Sequence, residues 1–244
     1  MLIGGHRGCG VTDSRPAQAG TPQENSLPSI EQAFALGADF VEVDWVWDAQ
    51  GVGWICHSMR LSEHFNDPMV EYLDQLSTPA VEGLIGRQGA PLMSLAQLIE
   101  RFGDRTVNVE IKGVKGIGRR RVSFHDQQYP KRWPSCWWLS SFDPQDLEDA
   151  QRIWPDTPVG LLSAPNASEG LQYLDGTPYL TGQQALTYLS SREHWRWHPE
   201  ITNRPHASCF QVGWSLDPES ESHCDLSGLQ GLITDRLDAW LGTG

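Results

Sequence analysis

Several things are scarce in this chain of 244 residues, and each scarcity excludes a class of protein. Cysteine follows no pairing pattern: Cys9, Cys56, Cys136, Cys209 and Cys224 are an odd number, scattered, with no C-x-x-C. That excludes a disulfide framework and a zinc knuckle, and fits reduced thiols in a cytoplasm. Basic residues are few, 18 Lys and Arg against 31 Asp and Glu, for a net charge of -13. No nucleic-acid partner is expected, because no basic stripe offsets this charge against a phosphate backbone. The one basic cluster, Arg119-Arg120-Arg121 with Lys112 and Lys115 upstream, could grip a phosphate but is too short to track a duplex, and a solvated loop is its plainer reading. No apolar run is long enough for a membrane span, so no integral membrane contact is expected. The opening MLIGGHRG turns polar at once, without the longer apolar run of a signal peptide, which adds to the expectation of a cytoplasmic protein. There is no Gly-rich nucleotide loop, internal repeat or low-complexity run.

What is present describes an ordinary globular chain, 39% hydrophobic and 20% charged. Its length suits one α/β barrel or two small domains. The 11 tryptophans are many, and several (Trp133, Trp137, Trp138, Trp195, Trp197) lie in loop-like stretches, where they are expected to line a pocket or an interface.

A short apolar strand ends at Gly4-Gly5 and delivers His6-Arg7-Gly8. A loop follows to Gln23. A helix with apolar spacing at Leu27, Ile30, Ala33, Phe34 and Leu36 then starts, with Ser26 or Asn25 as its N-cap, and closes at Gly37. The next strand, FVEVDWVW from Phe40 to Trp47, makes this a βαβ unit and implies a parallel sheet. Further strands are expected at Val52 to Cys56, Thr106 to Lys112, Cys136 to Phe142, Val159 to Leu162, Phe210 to Leu216 and Gly231 to Thr234. Helices are expected from Ser94 to Phe102, from Pro144 to Ile153 and from Gln183 to Leu189. Residues from Ser58 to Ala90 read as an excursion from the core. Polar residues fall at strand C-terminal ends: His6, Glu42, Asp44, His57, Glu110, Lys112, Ser140, Trp214 and Asp235. That is where a (β/α)8 barrel keeps its active site. The sequence therefore predicts a single-domain TIM barrel over residues 1–244.

FVEVDWVW carries the chemistry. Glu42 and Asp44 are two apart, so on a strand they project from one face, with Val41 and Val43 on the other. An E-x-D pair alone is more often the solvated face of an edge strand. Here the flanking Phe40, Val41, Val43, Trp45 and Val46 suit a strand covered on both sides. Like charges in such a strand repel and resist desolvation unless a cation lies between them, which points to a divalent metal.

The ordered set HRG at His6, P-x-E-N-S at Pro22, G-A-D-x-V-E-x-D at Gly37, then His57, V-E-I-K at Val109 and I-T-D-R at Ile233 resembles the glycerophosphodiester phosphodiesterase family, barrel phosphodiesterases related to phosphatidylinositol-specific phospholipase C. The Ser140-Ser141-Phe142-Asp143 stretch is similar too. The resemblance implies hydrolysis of small-molecule glycerophosphodiesters to glycerol 3-phosphate and an alcohol, with Mg²⁺ or Ca²⁺ as cofactor. It makes Glu42, Asp44 and Glu110 the metal ligands, hard oxygen donors suited to such ions. His6 and His57 become the general acid and base, and Arg7 and Lys112 hold phosphate oxygens. Glu24 and Asn25 would bind at the substrate site or orient Arg7 and the metal shell, or they could simply cap the helix. Trp214 would wall the glycerol, or be plain core, and Lys112 could be an ordinary partner of Glu110. His64, His125, His194, His198, His206 and His223 are read as structural or surface histidines.

The chain departs from the family pattern in a longer loop before Pro22, in Ser58 where an aspartate is common, and in a poorly marked helix after Lys112. An irregular barrel layer after the third or fourth strand is therefore expected. Two alternatives stand beside the diesterase: a phospholipase D-type enzyme on lysolipids, for which Trp133 to Trp138 would form an exposed apolar lip, and a catalytically weak barrel that binds a phosphorylated ligand.

Overall fold

A computed structural model describes residues 1–9, 22–57, 72–86, 89–112, 132–164, 179–192, 194–201, 207–214 and 223–242. The strands, in chain order, are β1 (Leu2–Gly5), β2 (Phe40–Trp47), β3 (Gly53–Ile55), β4 (Met93–Ser94), β5 (Val107–Ile111), β6 (Trp138–Ser141), β7 (Val159–Ser163), β8 (Arg196–Pro199), β9 (Val212–Gly213) and β10 (Gly231–Thr234). The helices are α1 (Leu27–Ala35), α2 (Thr78–Glu82), α3 (Leu95–Phe102), α4 (Pro144–Ile153), α5 (Gly182–Leu189) and α6 (Leu237–Leu241).

All eight residues of β2 are buried, as its apolar run requires. Eight strands run in the order β8-β7-β6-β5-β2-β1-β10-β9, every pair parallel. Parallel bridges Trp197–Gln211 and Glu200–Trp214 join β8 to β9 and close the sheet into a (β/α)8-type barrel. Strands β3 and β4 lie off this ring, as an antiparallel extension of β2. The turn into β3 is held by Asp48, whose Oδ1 accepts from the N–H groups of Gln50 and Val52.

Two apolar layers follow from the period-two pattern. Val41, Val43 and Trp45 face outward and pack with Ile30 and Ala33 of α1, Leu98 and Phe102 of α3 and Leu147 of α4. Phe40, Trp138, Val212 and Ile233 face inward and plug the barrel, with the Phe40 and Trp138 rings 5.0 Å apart. Gly4 makes room for this plug: a Cβ there would run into the Phe40 ring. The helices start on local signals. Ser26 caps α1 by accepting from the Ser29 N–H, Ser94 and Thr181 each close a capping box with Gln97 and Gln184, and Asp143 caps α4.

The structure corrects three readings. Strand β8 was not expected from the sequence, because RWHP offers no apolar run: Trp197 faces the outer core while His198, beside Trp138 and Gly160, faces the barrel interior. The strand expected from Phe210 to Leu216 is reduced to Val212–Gly213 among the described residues. Trp133, Trp137, Trp138, Trp195 and Trp197 are all buried, so they form no exposed lip, although Trp133 does line a cavity with Trp154 and Pro158. Residues 58–71 of the excursion, Ser58 included, lie outside the described residues. So do residues 113–131, where an irregular layer is expected from the sequence and where Arg119-Arg120-Arg121 and His125 fall, and also His64 and His206.

His198 is wholly buried between Gly160 and the Trp138 ring, and neither ring nitrogen has a hydrogen-bond partner. Burial, helped by the positive charge of Arg196, pushes it down to about 3 from an ordinary 6.5. Between those values the unfolded chain binds the extra proton, so this residue lowers stability as pH falls through that window and contributes nothing above it. Chemical denaturation at pH 7 and pH 4.5 should show His198→Leu losing roughly 2 kcal/mol less than the parent over that interval. An equal loss in both proteins would mean that His198 is not held neutral.

Candidate active site

Parallel register brings the first two motifs together. Asp44 pairs with Glu110 across β2 and β5, and Glu42 pairs with Asn108. Paired residues on neighbouring strands share a face, so Glu42, Asp44 and Glu110 converge at the C-terminal end of the barrel. One carboxylate oxygen from each lies within 4.8 Å of the others, and all three residues are buried. Such a triad of hard oxygen donors could hold a divalent ion. The repulsion is visible in its protonation: burial and then Asp44 push Glu42 up to about 8. Asp44 moves the other way, held low against its own burial by Lys112, His57 and Arg7.

Cations surround Asp44. The Lys112 Nζ lies 2.9 Å from its Oδ1 and donates to Glu110 Oε1 at 2.6 Å. The Arg7 Nε lies 3.3 Å from Asp44 Oδ2, and the Arg7 terminal nitrogen donates to Glu24 Oε2 at 2.9 Å. Both cations are half-buried, and the carboxylates hold them charged despite the lost hydration. Asn25 clamps Asp44 twice: its Nδ2 donates to Oδ2 at 2.8 Å, and its Oδ1 accepts from the Asp44 N–H at 3.0 Å. The capping role falls to Ser26, so Glu24 and Asn25 are left for the site.

Arg7 and Asn25 are also the described non-glycine residues with positive φ, 50° and 56°. Such strain persists only where neighbours over-determine it. Here the Asn25 N–H donates to the Arg7 carbonyl at 2.9 Å, and the Arg7 N–H donates to Glu42 Oε2 at 3.0 Å.

His6 leaves β1 beside β10. Its Nδ1 lies 2.8 Å from Asp235 Oδ1, and its Nε2 lies 4.0 Å from Glu42 Oε2. A carboxylate on Nδ1 fixes that nitrogen as the proton carrier and turns Nε2 toward the triad. Burial pulls the His6 ring down, but Asp235 and Glu42 outweigh it and leave it above its ordinary value. His57 follows β3, where the Cys56 N–H donates to the Asp44 carbonyl at 2.9 Å, and its charge is felt by Asp44. All four residues expected to be catalytic, and all three expected ligands, thus gather at one barrel mouth.

Trp214 stands on another flank. Its Nε1 donates to the His198 carbonyl at 3.1 Å, and its ring meets Phe142 edge-on at 5.6 Å. Tyr179 stacks on Phe142 at 4.2 Å. Tyr179 is raised by burial, offset by Lys112, so its phenol lies within electrostatic reach of the cluster. Sequence reasoning named Asp235 among the polar strand-end residues and Phe142 in the Ser140 to Asp143 stretch but assigned neither a partner, and it passed over Tyr179. Asp235 and Phe142 could have been found, since each stands at a strand end inside a motif. Tyr179 carried no signal.

No curated protein matches the sequence. Solved structures do, end to end. A phosphodiesterase of Oleispira antarctica, solved with the product sn-glycerol-3-phosphate, is 18% identical with a TM-score of 0.69, covering 100% of this chain and 97% of its own. A glycerophosphodiester phosphodiesterase of Thermotoga maritima is 17% identical with a TM-score of 0.66, covering 100% and 98%. One from Agrobacterium tumefaciens is 18% identical at 0.65, covering 99% of each chain. The family model described as the glycerophosphoryl diester phosphodiesterase family matches residues 6–239, from His6 past Asp235. The chain belongs to that family of phosphoric diester hydrolases.

Proposed function

We propose that this chain hydrolyses glycerophosphodiesters derived from deacylated phospholipids, giving sn-glycerol 3-phosphate and an alcohol, in the cytoplasm and with Mg²⁺ or Ca²⁺ at Glu42, Asp44 and Glu110. The observation that carries it is the buried carboxylate triad set between His6 and the two cations at the barrel mouth. The residues fit a divalent ion. Glu42 Oε1 is buried without a hydrogen-bond partner, and Glu42 is forced toward protonation by its neighbour, a cost that a cation would reverse. The product named for the Oleispira antarctica structure supports the substrate class, and five free cysteines support the compartment.

When bound, the ion supplies Lewis-acid polarisation of the phosphate. The chain supplies the rest. Glu24 and Asn25 hold Arg7 and Asp44 in place. Arg7 and Lys112 neutralise phosphate oxygens as charge builds in the transition state. One imidazole of the His6–His57 pair takes the proton of the attacking water, or of the glycerol 2-hydroxyl, and the other protonates the departing alkoxide; on the second route the two exchange roles as water opens the cyclic phosphate, so protons balance over the turnover. Asp235 keeps the His6 proton on Nδ1. Trp214, with Phe142, walls the glycerol. The lysolipid reading asks for an apolar lip, and Trp133, Trp137 and Trp138 are too buried to form one. The ligand-binding reading leaves the His6–Asp235 pair without a purpose.

Release of glycerol 3-phosphate from glycerophosphocholine should stop with EDTA and return with Mg²⁺ or Ca²⁺. Turnover of lysophosphatidylcholine alone would favour the lysolipid reading, and a thermal shift with glycerol 3-phosphate without turnover of any diester would favour the binding one. His57→Ala should abolish turnover with the ion still bound, whereas Glu42→Ala should weaken both. Asp235→Asn should lower kcat by about 10²-fold or more with little change in KM, read from initial rates, as expected when an acid–base group loses its tautomer. Near-parental kcat in Asp235→Asn or in His57→Ala would remove the histidine assignment.

A further inference from the structure

Between the apolar plug of Phe40 and Trp138 and the carboxylates above it lies a polar storey that the proposed chemistry does not use. Asn108 pairs in register with Glu42 on one side and Trp138 on the other, and it stands two residues before Glu110 on the same inward face. It is fully buried, and neither its Oδ1 nor its Nδ2 has a hydrogen-bond partner. Ser140, paired with Glu110 on β6, is fully buried with an unpartnered Oγ, and Glu42 Oε1 beside Asn108 is unpartnered too.

Leaving buried amide and hydroxyl groups unpaired is costly, because their lost hydration is not repaid. Such groups are met by protein or by ordered water, and a buried water asks for two to four polar partners. Here the orphaned atoms come from three adjacent strands, and every one of them neighbours an ion-binding carboxylate. A core asparagine with a purely structural role would spend its amide on backbone. This one is spent on no protein group.

Resting on the metal-bound reading above, we infer that Asn108 is a positioning residue for the ion-binding carboxylates, acting with Ser140 through water held in the barrel interior. Its Nδ2 supplies a donor to the Glu42 Oε1 side. Its Oδ1 and the Ser140 hydroxyl complete the shell under Glu110. The outcome is a carboxylate triad whose rotamers are set before the ion arrives. Partners of this kind behind metal ligands change ion affinity strongly without touching the ion.

The test is calorimetric titration of Ca²⁺ and, separately, Mg²⁺ into EDTA-stripped full-length protein, beside the melting temperature of each ion-free variant. Asn108→Leu keeps the volume and removes the polar atoms. It should weaken ion binding about 10- to 100-fold, while its ion-free melting temperature stays close to the parent's, because Leu keeps the volume and packs on the apolar plug below. Asn108→Ser, small and able to hold a water, should stay within a few-fold of the parent. Ser140→Ala should weaken binding less than Asn108→Leu. Parental affinity in Asn108→Leu overturns the inference, and so does weakened affinity that follows a matching fall in melting temperature. Should Asn108→Leu fail to fold, Asn108→Ala is read by the same criteria. A parent protein that binds neither ion sinks the metal-bound reading and this inference with it, whereas parental binding lost in Glu42→Gln but kept in Asn108→Leu sinks the inference alone.

Discussion

Two carboxylates held side by side in a buried strand are the constraint on which this structure depends. The pleat of β2 places Glu42 and Asp44 on one face, and the apolar sides of that strand deny them water. Neither can turn away, because the backbone that aims them is shared with Val41, Val43 and Trp45 in the outer core. Everything else at the barrel mouth answers that repulsion. Lys112 and Arg7 approach Asp44, Asn25 takes both its side chain and its N–H, and Glu42 is left as the member pushed toward the neutral form.

The strain in the loops has the same origin. Arg7 and Asn25 adopt left-handed backbone so that one can offer its N–H to Glu42 and the other its amide to Asp44. A barrel gives the site its geometry through register, but the two described ends of the connection from β1 to α1 give it compensation. The division also explains why the plug of Phe40, Trp138, Val212 and Ile233 is apolar while the storey above it is not. Stability is concentrated at the bottom and outside, and charge is concentrated at the top.

Much of this was legible in the sequence, for physical reasons that differ by residue. Glu42 and Asp44 could be read because a period of two is local, and VEIK because it repeats the same arrangement one strand later. His6 and Arg7 could be read because a glycine-bounded strand end announces itself. Strand β8 could not, since an inward face made of Arg196 and His198 inverts the hydrophobic pattern on which strand recognition relies. The tryptophans misled for a related cause: in short strands and turns their neighbours are polar, yet Trp133, Trp154 and Trp45 form one buried aromatic cluster. Asp235 stood at a recognised strand end, but its partner is 229 residues away, and no local pattern carries that distance.

That last pairing ties one side of the site to the closure of the ring. The His6–Asp235 bond spans the seam where β1 meets β10, with Gly5 paired to Thr234 immediately beneath it. The His6 ring therefore meets its carboxylate partner only where β1 and β10 are paired. The carboxylate triad, by contrast, is carried by β2 and β5 alone. The two parts of the site thus answer to different seams of the sheet, the triad to the β2–β5 pairing and the His6–Asp235 bond to the pairing of β1 with β10.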